Sequence, residues 1–309
     1  METQMNKKMD AYFGAKLLFI IFLGVVGVLS LSYSKFPGTT TDEFGYMYFP
    51  ALVSGWDWTE VISYHGFYGM GTGVLWIPLF LLFKGNPELI YQGIVALNVF
   101  MLILCFLLSE KCAKKLFPDW DRKLRLLSCA IVTLYPAYLL YTEVAISETF
   151  LLLLYWILIY LFIKIYEKAT AILIIVASAV SGYMILVHLR TIGVAGMCCA
   201  FMILAKYRRK INWRQMLLFF LILISFLGIW SLYKNYYYSQ MSTISVVNQA
   251  NSSVSILGFA SQILENLSDW LERLLTRVFY YLVVGNICLV GALAFFKQQK
   301  LYLPKKFRQ

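Results

Sequence analysis

Three places in the sequence set chemically capable side chains beside long apolar runs. Asp42 and Glu43 follow Thr39-Thr40-Thr41 just after the first run, Glu143, Ser147 and Glu148 fall between two others, and His188 and Arg190 between two more. A charged group at membrane depth costs about 2.5–3.5 kcal/mol on insertion scales, so each is a candidate for function by default. A guanidinium is the preferred fork for a phosphate oxygen. Arg190 therefore has two readings, phosphate recognition or a structural ion pair with Glu148 or Glu143. Asp42 and Glu43 also have a plain reading: threonine suits an N-cap and two carboxylates suit the first turn of a helix, so the pair could simply start a surface helix. What argues for more is its company, an acidic pair near a second acidic turn and a recessed cation. His188 and His65 are the only histidines, and a lone histidine at a helix end is more often a hydrogen-bonded interfacial residue than a working one.

The elements that must position these residues are membrane spans. Of 309 residues, 61 % are hydrophobic and only 14 % charged, with a mean hydropathy of +0.71, against about 25 % charged in soluble domains. A soluble globular protein is excluded. Apolar runs fall at 15–34, 66–83, 89–108, 124–142, 149–163, 170–187, 191–205, 215–233 and 274–296. The second is interrupted by Gly69, Gly71, Gly73 and Pro78 and is either a span or a helix lying in the interface. The first begins with the basic residues of a signal peptide but is long for one and lacks a small-residue cleavage site, so it is expected to stay as a span.

Lysine and arginine placement decides between arrangements. With eight spans, the 66–83 run on the membrane and the N-terminus inside, 21 of the 27 basic residues lie inside and 6 outside. Nine spans with the N-terminus inside reverse the bias, to 8 inside and 19 outside. Nine spans with the N-terminus outside give 19 and 8, differing only in placing loop 35–65 in the cytoplasm. In the eight-span arrangement the net charge of +11 resolves into +15 inside and −4 outside, an orientation signal that calls for no nucleic acid. Only 38 residues separate Arg125 from Lys164, and 37 separate Lys168 from Lys206, where two full spans need about 40. Both outer turns, carrying Glu143, Ser147 and Glu148, and His188 and Arg190, are expected to sit below the membrane surface.

In the first outer loop, Tyr46, Phe49 and Val53 are expected to form one face of a short amphipathic helix that Gly55 ends. Trp56, Trp58 and Tyr236 to Tyr238 suit an aromatic belt. The six cysteines lie in apolar runs or a basic loop, so neither disulfides nor a metal site is expected.

In order along the chain, these features resemble the GT-C superfamily of polyprenyl-phosphate-sugar-dependent glycosyltransferases, especially the group containing protein O-mannosyltransferases and the bacterial aminoarabinose transferase. Thr41-Asp42-Glu43 after the first span resembles the family's Asp-Glu motif on an interfacial helix. Tyr68-Gly69-Met70-Gly71 through Pro78 resembles its second interfacial helix, Glu110-Lys111-Cys112-Ala113-Lys114-Lys115-Leu116-Phe117 its basic turn, Ser147-Glu148 its second acidic turn, and Leu189-Arg190-Thr191 a later outer turn. Ser63-Tyr64-His65-Gly66 stands where the aminoarabinose transferase has a lysine; either His65 substitutes for it or the phosphate is held elsewhere. The ordered combination, over residues 10 to 215, carries the resemblance.

The resemblance implies an all-α polytopic membrane protein of about eight transmembrane helices with two interfacial helices in the first outer loop. Residues 1–233 would be the transmembrane module with first outer loop 35–87, 234–272 a second outer loop, and 273–309 the last span and a basic cytoplasmic tail. It implies transfer of a sugar from a polyprenyl-phosphate carrier to a glycan, lipid or protein acceptor at the outer face of a bacterial plasma membrane, with inversion. Asp42 would be the general base, Glu43 and Glu148 would position hydroxyls, and Arg190 would stabilise the leaving phosphate; Tyr64, His65, His188 and Glu143 would line the substrate site. No cofactor is called for, and a divalent cation is the one addition the chemistry leaves room for. The alternative is a non-catalytic flippase or accessory subunit that binds the lipid carrier without transferring the sugar.

Overall fold

The structure, a computed structural model, describes residues 2–33, 42–58 and 68–239, with side chains from Tyr12 to Tyr236. Thr39 to Thr41, Tyr64, His65 and the expected elements beyond residue 239 lie outside the described residues. What is described is all helical, without a strand. The helices are α1 (Glu2–Tyr33), α2 (Asp42–Val53), α3 (Met70–Leu82), α4 (Pro87–Leu116), α5 (Arg122–Thr133), α6 (Pro136–Thr142), α7 (Glu148–Glu167), α8 (Ala171–Val187), α9 (Ile192–Tyr207) and α10 (Trp213–Ser239), with a 3₁₀ turn at Leu189–Thr191.

Among the described residues, five segments are long and apolar enough to cross a membrane: Tyr12–Tyr33, Pro87–Leu116, Glu148–Glu167, Leu189–Tyr207 and Trp213–Tyr236. A sixth is α5 and α6 taken together, a pair bent by 58°. The bend falls where Pro136 starts α6, a residue that cannot donate to the preceding turn. Two shorter apolar helices complete the set, α3 with 13 residues and α8 with 17. At 1.5 Å per residue they measure about 20 and 25 Å, below the roughly 30 Å of a hydrocarbon core.

Local signals explain the boundaries. Asn86 caps α4 by accepting from the Leu89 N–H at 3.1 Å, Pro87 occupies the first turn, and Lys114 and Lys115 lie in the last, the charge order a helix dipole favours. Thr170 caps α8 through the Leu173 N–H at 3.3 Å. After α2 the chain turns at Gly55, whose φ of +79° suits a residue without a Cβ.

The main core joins α4, α7, α8, α9 and α10 through residues such as Phe150, Leu158, Ile174 and Phe219. A second core holds α2 and α3 against α4, with Tyr46, Met47, Ala51, Trp76, Phe80 and Ile94. The inward side of α2 is broader than its sequence suggests: it buries Glu43, Met47, Pro50 and Ala51 and leaves Val53 50 % exposed. Of the expected stripe, Tyr46 is buried, Phe49 half-buried and Val53 exposed, because the helix turns Glu43, Met47 and Ala51 inward instead.

The glycine run before and within α3 has a packing purpose. A Cβ on Gly71 would lie 2.6 Å from the Val187 backbone nitrogen, and the Gly71 carbonyl accepts from the Tyr183 hydroxyl at 2.6 Å. The start of α3 is thereby seated on the end of α8. Gly71→Ala is expected to destabilise the protein by about 1–3 kcal/mol, since the obstruction is backbone. Gly196→Ala, where a Cβ meets nothing within 4 Å, is expected to be neutral or mildly stabilising. Thermal unfolding of the two variants in detergent distinguishes them, and equal melting would refute the close-packing assignment.

Candidate functional site

Between α6 and α7 the chain leaves the helix for Glu143 to Ser147, yet Val144, Ala145 and Ser147 are almost wholly buried. Irregular backbone covered by protein must find hydrogen bonds there. Glu43 supplies one: its carboxyl oxygen accepts from the Ala145 N–H at 2.8 Å and from the Tyr91 hydroxyl at 2.6 Å, and the residue is 0 % exposed. Asn98 supplies another, its Nδ2 donating to the Val144 carbonyl at 2.9 Å. Tyr91 also reaches the Glu143 carbonyl at 3.2 Å. These three side chains hold the turn from which α7, and with it Glu148, begins.

The two acidic pairs are thus divided. Glu43 is committed inward, and Glu143 accepts from Ser30 of α1 at 2.8 Å. Glu148, the first residue of α7, pairs with the Arg190 guanidinium in the 3₁₀ turn. Of the two ion-pair partners open to Arg190 in the sequence, Glu148 is the one it takes. Asp42, at the start of α2, is exposed, and its charge acts on both Tyr46 and His188. Glu148, His188 and Arg190 therefore gather near Tyr46, within reach of the Asp42 charge.

Hydrogen bonds fix the orientation of this group. Ser147 donates to the Tyr46 hydroxyl at 2.9 Å and lies 3.4 Å from Glu148. His188 Nδ1 accepts from the Arg190 backbone N–H at 3.2 Å, which leaves Nε2 as the protonated nitrogen. Its ring stands 6.4 Å from that of Tyr46 and 6.5 Å from that of Tyr68. Burial, reinforced by the Arg190 cation, pushes His188 down to about 4, so near neutral pH it is a neutral donor. Burial, with Glu148 close by, pushes the Tyr46 phenol well above its usual value.

Below the ion pair runs an open groove of about 370 Å³. Glu148, Arg190 and Thr191 form its polar end; Tyr138, Tyr141 and Tyr155 and the aliphatic Leu151, Leu152, Met184 and Val194 form the rest. The Arg190 side chain is 52 % exposed, which leaves donors available beside Glu148. The arrangement suits a ligand with an anionic head and an apolar tail. Among the described residues no three His, Cys, Asp or Glu side chains gather as metal ligands.

Tyr91 and Ser30 had no signal in the sequence, being ordinary residues of apolar runs. Asn98 had one, as an amide inside an otherwise apolar span. No known family model matches the chain, and no curated protein is significantly similar to it.

Proposed function

We propose that the chain is a membrane glycosyltransferase of GT-C type, which moves a sugar from a polyprenyl phosphate to an acceptor hydroxyl or amine at the outer face of a bacterial plasma membrane. The observation that carries this reading is a half-exposed arginine at the head of an apolar, tyrosine-lined groove, beside Tyr46 and His188, on both of which the charge of the exposed Asp42 acts. The carrier's chain would lie in the groove and its phosphate at Arg190. The Arg190 side chain is 52 % exposed while that of Glu148 is 19 % exposed, so a phosphate oxygen takes the arginine's remaining donors without displacing Glu148. Asp42 takes the acceptor's proton as its oxygen or nitrogen bonds to the anomeric carbon; the bond from that carbon to the phosphate oxygen breaks on the opposite side, inverting the centre. Arg190 balances the charge left on the phosphate, and neutral His188 donates a hydrogen bond at the same mouth.

In this reading there are eight spans, α5 with α6 counting as one and 274–296 as the last. The N-terminus is inside, α2 and α3 are interfacial helices of the outer loop 35–87, and 234–272 is outside. A cysteine introduced at exposed Asp57 is then expected to react with an impermeant maleimide on intact cells. Reaction only after lysis would restore nine spans with the N-terminus outside and remove the outer-face site.

The second reading, a carrier-lipid protein without transferase activity, is favoured by the groove and Arg190, which need no chemistry to be useful. Purified protein supplied with polyprenyl-phosphate sugars and candidate acceptors separates the two. Transfer by the wild type, with carrier binding weakened about tenfold or more in Arg190→Ala, supports the enzyme. Carrier binding lost in the same variant, with no transfer by the wild type, establishes the lipid-binding protein instead.

A further inference from the structure

At the end of the bundle opposite the Arg190 mouth, α1, α4 and α5 enclose a second charged cluster that the transfer reaction does not use. Glu110 of α4 accepts from the Tyr12 hydroxyl on one carboxyl oxygen and pairs with Lys16 Nζ at 2.6 Å on the other. Arg125, in the first turn of α5, is 6 % exposed. Its Nη1 reaches the Trp120 carbonyl at 3.4 Å and its guanidinium also meets the Tyr12 hydroxyl, while its Nε has no hydrogen-bond partner among the described residues. Helix α5 brings it there by wearing its polar side inward: Arg125, Cys129 and Thr133 are buried, while Leu127, Ile131 and Val132 are exposed. That is the reverse of an amphipathic helix on a soluble protein.

The cluster sets two cations against one carboxyl group, and both oxygens of that group are occupied by Tyr12 and Lys16. A buried guanidinium with an unmet donor and no full counter-charge is costly. The side chain of Lys16 is 24 % exposed, so the cluster opens on the α1 side, and Arg122 and Lys123 stand exposed at the start of α5. Around the opening the outer faces of α1 and α5 are apolar, with Phe13, Leu17, Leu18, Leu127 and Ile131 exposed.

We propose that this cluster seats the phosphate diester of an anionic phospholipid in the leaflet at that end of the bundle. The residual single positive charge matches the single negative charge of a diester, the guanidinium and ammonium supply the donors a phosphate oxygen accepts, and the exposed apolar faces of α1 and α5 receive the acyl chains. In the orientation given above this is the cytoplasmic leaflet, and the site does not depend on the transferase reading.

The test is native mass spectrometry of the full chain titrated with phosphatidylglycerol and with phosphatidylcholine. Phosphatidylglycerol is expected to be retained preferentially, and Arg125→Gln or Lys16→Gln to reduce the preference about fivefold each. Glu110→Gln, which frees Lys16 and removes the one negative charge of the cluster, is expected to raise it, a direction that a merely structural cluster would not give. Equal retention of the two lipids by the wild type, or an unchanged preference in Lys16→Gln, overturns the proposal. Lys16→Gln, being partly exposed, carries the test by itself should Arg125→Gln not fold. Displacement of phosphatidylglycerol by inorganic phosphate at about 10 mM, a concentration far above tight binding, would overturn the lipid as ligand in favour of a small anion. Since the readout is lipid retention, its failure leaves the transferase reading standing, and a protein without transferase activity leaves this site standing.

Discussion

Asp42→Asn is expected to lower the rate of sugar transfer by about 10²–10⁴-fold, the usual worth of a positioned general base, while leaving the amount of protein in the membrane and its thermal stability unchanged. The reasoning is local. Asp42 is exposed at the first turn of α2, so its amide replacement keeps shape and hydration but cannot take a proton from the acceptor. The loss belongs in kcat, because nothing in the proposed mechanism has Asp42 holding the carrier, whose phosphate rests on Arg190 and whose chain rests in the groove. Initial-rate kinetics with varied carrier concentration make the separation visible: kcat falls and the KM for carrier stays within about twofold, the pattern of an interaction made only in the transition state. Transfer at the wild-type rate in this variant would remove Asp42 as the base. A raised KM with unchanged kcat would turn it into a binding residue.

The helices were legible in the sequence because a long apolar run has few other uses. The runs at 15–34, 89–108, 149–163, 191–205 and 215–233 each lie within or largely within a long helix. The run at 170–187 forms the shorter α8 and that at 274–296 lies outside the described residues; the two remaining departures have physical causes. At 124–142, Pro136 divides the run into two helices at 58°, and hydropathy, being blind to direction, shows one span. At 66–83, the glycines that seemed to interrupt a span are the contact surface of a short helix on the end of α8. The gathering of Glu148 and Arg190 followed from charge placed in two short turns between spans. The inward aim of Glu43 could not be read, since neighbouring carboxylates in a helix point about 100° apart and the groups that receive one of them, Tyr91 and Ala145, lie 48 and 102 residues away.

Glu43→Ala should have the opposite signature to Asp42→Asn, a loss of stability first and of activity through it. Glu43 has no exposed surface, and its removal strips the Ala145 N–H and the Tyr91 hydroxyl of an acceptor inside the α2–α4 core. Leaving a buried donor unsatisfied costs about 1–3 kcal/mol, and Tyr91 keeps only its 3.2 Å contact with the Glu143 carbonyl. A loss of about 2–4 kcal/mol is the expected sum, with the vacated volume adding to it. The Glu143–Ser147 turn then keeps Asn98, Ser30 and Tyr46 as partners but loses its acceptor at the buried Ala145 N–H, so the start of α7 loosens and Glu148 with it. Tyr91→Phe provides the cross-check: combined with Glu43→Ala in a double-mutant cycle monitored by thermal unfolding, it should show a coupling of about 1–2 kcal/mol, because both changes remove the same hydrogen bond. Additive losses would mean that the bond is not held in the native protein. A Glu43→Ala variant as stable as the wild type would release this carboxyl group from its role as an anchor and return it to the site as a group that positions hydroxyls.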